Sequence, residues 1–213
     1  MLMSIVCPTI LASNEDEYRN QIEKVKNFAE RIQIDLKDNI FALGESLPME
    51  KVWWPNSVVA DIHIMYKDPQ KHITTIKELH PSMVIVHAES NCSVPEFAAE
   101  LEKEGIKTGL CLLQPTTVQQ AAYILPHVQH LLIFSGDLGK FGGSADLSLT
   151  AKITSAKEVN PNLEFGWDGG INEANAVELA KRGVDVLNVG GYIQNSDDPE
   201  EAYAKIKRVV SEI

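Results

Sequence analysis

Leu163-Glu164-Phe165-Gly166-Trp167-Asp168-Gly169-Gly170-Ile171-Asn172 reads as a short buried strand that ends on a carboxylate. Two glycines follow, and Asn172 stands in a helix-capping position ahead of an amphipathic run. An α/β enzyme presents an acid or base to a ligand in this way, from the carboxyl end of a strand. Gly169 and Gly170 let the backbone approach an anion closely, and the amino end of the following helix favours negative charge. A tight strand-to-helix turn that needs glycine accounts for Asp-Gly-Gly equally well, so the rest of the chain decides.

Outward from this stretch, the same strand-then-helix unit recurs. Strands are expected at Ser4–Leu11, Arg31–Leu36, Ser57–Met65, Met83–His87, Lys107–Leu113, His130–Phe134, Leu163–Asp168 and Val186–Val189. Helices are expected over Glu15–Phe28, Pro69–Leu79, Val94–Glu104, Thr117–Leu125, Leu149–Val159, Glu173–Arg182 and Pro199–Val210. Tyr18, Ile22, Val25 and Phe28, for example, recur at helical spacing. Met49–Trp54, bracketed by Pro48 and Pro55, is a poor helix. Strands that alternate with helices argue a parallel sheet, and eight such units argue a closed (β/α)8, or TIM, barrel formed by residues 1–213 as a single domain. An open doubly wound sheet is the rival. It usually has fewer strands, and its Gly-x-Gly-x-x-Gly fingerprint for an organic dinucleotide cofactor is missing after the first strand.

The bulk composition narrows the function. A chain of 213 residues, 44% hydrophobic, can bury one good-sized core. Its net charge of −11 and the lack of a basic run argue against nucleic acid as a partner. Cys7, Cys92 and Cys111 are odd in number and scattered, which fits neither a disulfide framework nor a structural zinc site and suits a reducing cytoplasm. Met1–Cys7 carries no leading positive charge and runs into Pro8, so it is not expected to be a signal peptide. No stretch approaches the roughly 20 apolar residues of a membrane span.

In a barrel the site lies at the carboxyl ends of the strands. Side chains alternate along a strand, so Gln33, Asp35 and Lys37 share one face while Ile32, Ile34 and Leu36 pack under the helices. Three polar groups directed into the barrel mouth are costly to bury unless they pair or bind something. His63 and Met65 share a face at the end of the third strand, His87 and Glu89 mark the fourth, and Ser135 the sixth. Each has a plainer account: Asp35 with Lys37 as an internal ion pair, His63 and His87 as structural histidines, Glu89 as a capping charge, Met65 as core. Glycines cluster in the loop Gly136–Gly143, continuing as Gly142-Gly143-Ser144, and again at Gly169-Gly170 and Gly190-Gly191. Three glycine pairs at consecutive strand ends are expected to cradle a phosphate with backbone N–H groups.

These residues carry a resemblance. Pro8-Thr9-Ile10-Leu11, Ile34-Asp35-Leu36-Lys37-Asp38, Asp61-Ile62-His63-Ile64-Met65, Val86-His87-Ala88-Glu89, Phe141-Gly142-Gly143, Asp168-Gly169-Gly170-Ile171-Asn172 and Val189-Gly190-Gly191 resemble, in order and spacing, the ribulose-phosphate 3-epimerase family of ribulose-phosphate-binding barrels. The similarity spans nearly the whole chain. It implies inversion of C3 of a ketose phosphate through an enediolate, in carbohydrate metabolism. Asp35 and Asp168 would be the acid/base pair, His63 a metal ligand beside them, and the glycine pairs the phosphate holders. A divalent metal held by two histidines and the two aspartates is the implied cofactor, a phosphorylated ketose the implied partner. Family members commonly assemble, so a homo-oligomer is compatible with the likeness. The chain departs from the pattern where Gln33 replaces the first metal histidine, Ala12 a serine and Lys37 a methionine.

The departures suggest that Lys37 supplies the positive charge near the vacated metal position and partly replaces the ion; the alternative is that Lys37 only pairs with Asp35, Asp38 or Glu89 while Asp35, His63 and Asp168 hold a metal, with Gln33 or water in the gap. Asp35-Leu36-Lys37 also resembles the Asp-x-Lys-x-x-Asp motif of related sugar-phosphate decarboxylases, whose second aspartate would fall at Ile40. A lyase that uses Lys37, and a non-catalytic phosphosugar-binding protein, are therefore the competing expectations.

Overall fold

The computed structural model describes residues 4–212. Met1–Met3, the first part of the stretch considered as a leader, lie outside the described residues. Eight parallel strands close into a barrel in sequence order: β1 Ile5–Ile10, β2 Arg31–Lys37, β3 Val59–Met65, β4 Met83–His87, β5 Lys107–Leu112, β6 His130–Phe134, β7 Glu164–Asp168 and β8 Val186–Val189. Closure comes from β1 against β8, with Ile5 opposite Val186 and Pro8 opposite Val189. β4, β6 and β8 have the bounds expected from the sequence, and the others differ by one or two residues at an end. Among the described residues no helix is long and apolar enough to cross a membrane.

The helices are α1 Glu15–Val25, α2 Ile73–Leu79, α3 Val94–Glu102, α4 Val118–Ala121, α5 Ala151–Val159, α6 Glu173–Lys181, α7 Gly191–Gln194 and α8 Pro199–Ser211. Asn14 caps α1 through the Glu17 N–H, and Asn172, in the capping position expected from the sequence, caps α6 in a reciprocal pair with Asn175. The helix expected over Pro69–Leu79 divides into a 3-10 turn, Pro69–His72, and α2, which starts at Ile73. Three further elements differ. The unit between β2 and β3 has only a 3-10 turn, Met49–Lys51, because Pro48 fixes the entry and Pro55 forbids extension. The helix expected over Thr117–Leu125 is reduced to α4 plus a 3-10 turn at Leu125–His127, where Pro126 removes a donor. α7, four residues long, was not anticipated; so short a segment shows no apolar period.

Two separate apolar clusters hold the barrel. The larger lies between strands and helices and includes Ile32, Ile34, Leu36, Phe165, Trp167 and Leu187. The smaller fills one side of the barrel interior with Met83, Ile85, Cys111, Leu132 and Phe134. The other side of the interior is polar: Thr9, Gln33, Asp35, Asp61, His63 and Asn188 are all buried. At the amino ends of the strands, Arg31 ties three elements together. Its Nε donates to Asp61 Oδ2 at 2.6 Å, and Nη1 and Nη2 donate to the two Glu164 oxygens at 2.9 Å each. His130 Nδ1 joins Glu164 Oε2 at 2.7 Å. A bidentate guanidinium–carboxylate pair of this kind is both directional and charge-assisted. The polar interior is thus closed below by ion pairs and left to the site above.

Candidate active site

Strand alternation and register bring the acidic groups together. β2 turns Gln33 and Asp35 inward, β3 sets His63 directly opposite Asp35, and β7 ends with Asp168 beside Asn188 of β8. Gln33, fully buried, donates from Nε2 to Asp35 Oδ1 at 2.9 Å and to Asp168 Oδ2 at 2.7 Å. One primary amide therefore spans two carboxylates that are 133 positions apart in the chain (168 less 35). His63 Nδ1 lies 3.0 Å from Asp35 Oδ1 and 3.9 Å from Asp168 Oδ2. Its Nε2 meets His87 Nε2 at 2.9 Å. Beyond it, His87 Nδ1 faces Glu89 Oε2 at 3.6 Å, too far for a hydrogen bond. Glu89 is anchored elsewhere, accepting from Leu113 N–H at 3.1 Å and from the Thr116 hydroxyl. Phe41 packs on the His87 ring at 4.7 Å between centroids.

Burial and the charge of Asp35 raise the carboxyl of Asp168 above its ordinary range, against the pull of His63 and the Gln33 amide. Two carboxylates this close resist ionising together, so Asp168 is the member that keeps a proton. Burial lowers His87 to about 4, so its imidazole is neutral. Burial raises the thiol of Cys111, beneath these rings, well above its usual range, so it is no thiolate nucleophile. Asp35, His63 and Asp168 place one donor atom each within 4.8 Å of one another, a group that could hold a metal ion. Three such donors and a water can complete a catalytic site, but at the fourth position Gln33 opposes an ion. The amide hydrogens of Gln33 already occupy the facing oxygens of both carboxylates, and an amide nitrogen offers hydrogen where a ligand must offer a lone pair.

A cavity opens over this group, lined by Thr9, Asp35, His63, Met65, Phe134 and Asp168 from the strand ends and by the loops after β6, β7 and β8. Gly142, Gly169, Gly170, Gly190 and Gly191 line it as the sequence places them, whereas Gly143 and Ser144 do not. Ser144 instead offers its carbonyl to the Ser135 hydroxyl at 3.0 Å. The Gly170 N–H, expected to meet an anion, donates to Gly142 O at 3.2 Å. Gly169, at φ +115°, runs so close to the β6 loop that a Cβ would come within 2.0 Å of Gly136 N. At Gly190 a Cβ would meet Phe141 Cδ1 at 2.6 Å and Thr9 Oγ1 at 2.7 Å. Trp167, fully buried behind Asp168, fixes the turn by donating from Nε1 to Gly169 O at 3.0 Å.

Lys37 is not where its strand position suggests. Its ammonium donates to Gly139 O at 2.8 Å, forming a strut between the β2 and β6 loops, and the residue does not line the cavity. It pairs with none of Asp35, Asp38 or Glu89 among the described ion pairs and hydrogen bonds. Sequence reasoning also missed Lys140, an exposed loop residue of the cavity lining, and Asn188, which is 3% exposed, lines it, and leaves Nδ2 without a partner. A loop lysine beside glycines and an asparagine one alternation from a strand end are visible only once the loops are folded over the mouth.

Comparison with known proteins adds an independent line. The sequence model described as Ribulose-phosphate 3 epimerase family matches residues 5–194. Ribulose-phosphate 3-epimerase of Helicobacter pylori strain J99 is 28% identical over 212 residues, covering 96% of this chain and 97% of that one. The Bacillus subtilis strain 168 protein of the same name is 26% identical over 212 residues, covering 95% and 97%. Among solved structures, KGPDC from Streptococcus mutans superposes with a TM-score of 0.76 at 13% identity, covering 99% of each chain. 3-Hexulose-6-phosphate synthase from Salmonella typhimurium gives 0.71 at 13% identity, covering 98% of this chain and 99% of that one. Likeness at that identity speaks for the barrel alone.

Proposed function

The chain belongs to the ribulose-phosphate 3-epimerase family, and from that premise we propose that it inverts the carbon beside the ketone of a phosphorylated ketose, working as a single barrel domain. The observation that carries this is the Gln33-bridged pair Asp35 and Asp168, one member of which has a raised carboxyl. Inversion needs a base on one face of a carbon and an acid on the other. Asp35 takes the proton from the carbon, and the bonding electrons pass into the carbonyl to give an enediolate. Asp168, which carries its own proton, delivers it to the opposite face. The dyad ends with the proton on Asp35, and the reverse transfer acts on the other epimer. Neighbouring carboxyl groups whose environments push them apart are suited to this division. Asn188 Nδ2, buried and without a partner, is available as a donor to a substrate oxygen.

The phosphate end of the substrate is assigned to the loops around Gly142, Gly190 and Gly191. α7 begins at Gly191, and the first N–H groups of a helix have no partner within it. Lys140, an exposed residue of the cavity lining, is assigned to the same end. The lyase expectation loses its electrophile, since the Lys37 ammonium is engaged with Gly139 O.

The test is proton exchange with a ribulose phosphate in deuterated water. Deuterium is expected to enter the inverted carbon of the product. Asp35→Asn and Asp168→Asn should each lose about 10²–10⁴-fold in kcat. No deuterium incorporation, or full activity in both variants, would discard the reading.

A further inference from the structure

We propose that Gln33 takes the structural place of a metal ion: its carboxamide holds the two reacting carboxylates in register, and the reaction runs without a divalent cation. This rests on the epimerase reading above and gives it a different electrostatic basis. Both hydrogens of Nε2 are spent, one on Asp35 Oδ1 at 2.9 Å and one on Asp168 Oδ2 at 2.7 Å. The other end of the same amide, Oε1, is buried with no partner. The carboxylates alone therefore set the amide's orientation. Turned over, the amide would point an oxygen at two carboxylate oxygens and give up both charge-assisted bonds.

The remaining neighbours are consistent. His63 Nδ1 reaches Asp35 Oδ1 at 3.0 Å, so the oxygen shared with Gln33 accepts from two sides. Lys37, the cation next along β2, is held away by Gly139 O. Among the described residues, the groups that reach the facing oxygens of Asp35 and Asp168 are thus the Gln33 amide and the His63 ring, with the Lys37 ammonium turned away. Gln33 is a positioning residue here: it sets the distance between two side chains that touch substrate and does not itself exchange a proton with carbon.

The experiment compares the full-length protein with Gln33→His and Gln33→Leu, using manganese and zinc ions alone in calorimetric titrations and activity assays after exhaustive chelation. Imidazole presents a lone pair where the amide presents hydrogen; leucine keeps the volume and removes both donors. Native protein is expected to show no stoichiometric ion and no loss of activity on chelation. Gln33→His should bind the ion about a hundredfold more tightly than native. Gln33→Leu should lose kcat with little change in KM, and added ions should not restore it. Activity of the native protein that disappears on chelation and returns with a divalent ion overturns the proposal, as does a Gln33→Leu variant with native kcat. Should the native protein fail to act on ribulose phosphates, the epimerase reading falls. The ion titrations still decide the amide's part: tight binding by native protein refutes it, and binding acquired only by Gln33→His supports it.

Discussion

Asp168 ends a buried strand with its carboxyl facing Asp35, and that placement predicts a pH profile. In the proposed reaction the pair works with one proton. As pH rises through the raised range of Asp168, the pair loses that proton and kcat/KM falls. As pH drops into the ordinary carboxylate range, the pair gains a second proton and the base is lost. A bell is therefore expected, its limbs belonging to the pair jointly. A profile that stayed flat across about pH 5–9 would contradict the assignment. The carboxylates were legible from the sequence because Asp35 and Asp168 stand at strand ends. The bridge between them was not. Which neighbour an inward amide bonds depends on how β2 faces β7 across the barrel, and no local pattern records that.

At the level of elements, the β2 and β6 loops behave as a coupled pair. Lys37 joins them through Gly139 O, and a Cβ on Gly139 would already press Ala42 at 3.3 Å. Lys37→Met keeps the stem of the side chain and removes the ammonium. We expect KM for the sugar phosphate to rise about three- to tenfold, in line with loss of one partly screened charged hydrogen bond, while kcat and the melting temperature barely move. A collapse of kcat with unchanged KM would return Lys37 to the chemistry. The amphipathic periods of α1, α3, α6 and α8 were readable, since each buries one stripe on the barrel. The proline-bounded segment after β2 and the four-residue α7 were not, being too short to show a period.

For the whole molecule, the alternation of eight strands with helices was enough to specify the barrel, because parallel strands need a crossover and closure removes both sheet edges. Its amino end stakes stability on Glu164. Burial acts to raise that carboxyl, but the bonds from His130 and Arg31 outweigh it and hold Glu164 below its ordinary range. A depressed carboxyl stabilises the fold above its unfolded value, about 4.3, and the contribution is lost as pH falls below that. Glu164→Gln should accordingly lower the melting temperature at neutral pH and flatten its decline on the acid side. A decline as steep as native would show that other carboxylates dominate. Asp61, in the same group, is shifted upward because burial outweighs Arg31, so it does not contribute to that acid loss.

Closure of the barrel also has a consequence for biosynthesis. Of the barrel strands β1 leaves the ribosome before the others and its partner β8 after them, Ile5 waiting for Val186 and the Ser4 hydroxyl for Val184 O. Throughout elongation the nascent chain carries an unpaired strand edge, the kind of surface on which chains adhere to one another. Gln33 and Asp35 likewise wait for Asp168. The barrel gains its protected rim and the proposed dyad only once β7 and β8 have emerged, so a chain interrupted before them would be both adhesive and without that dyad.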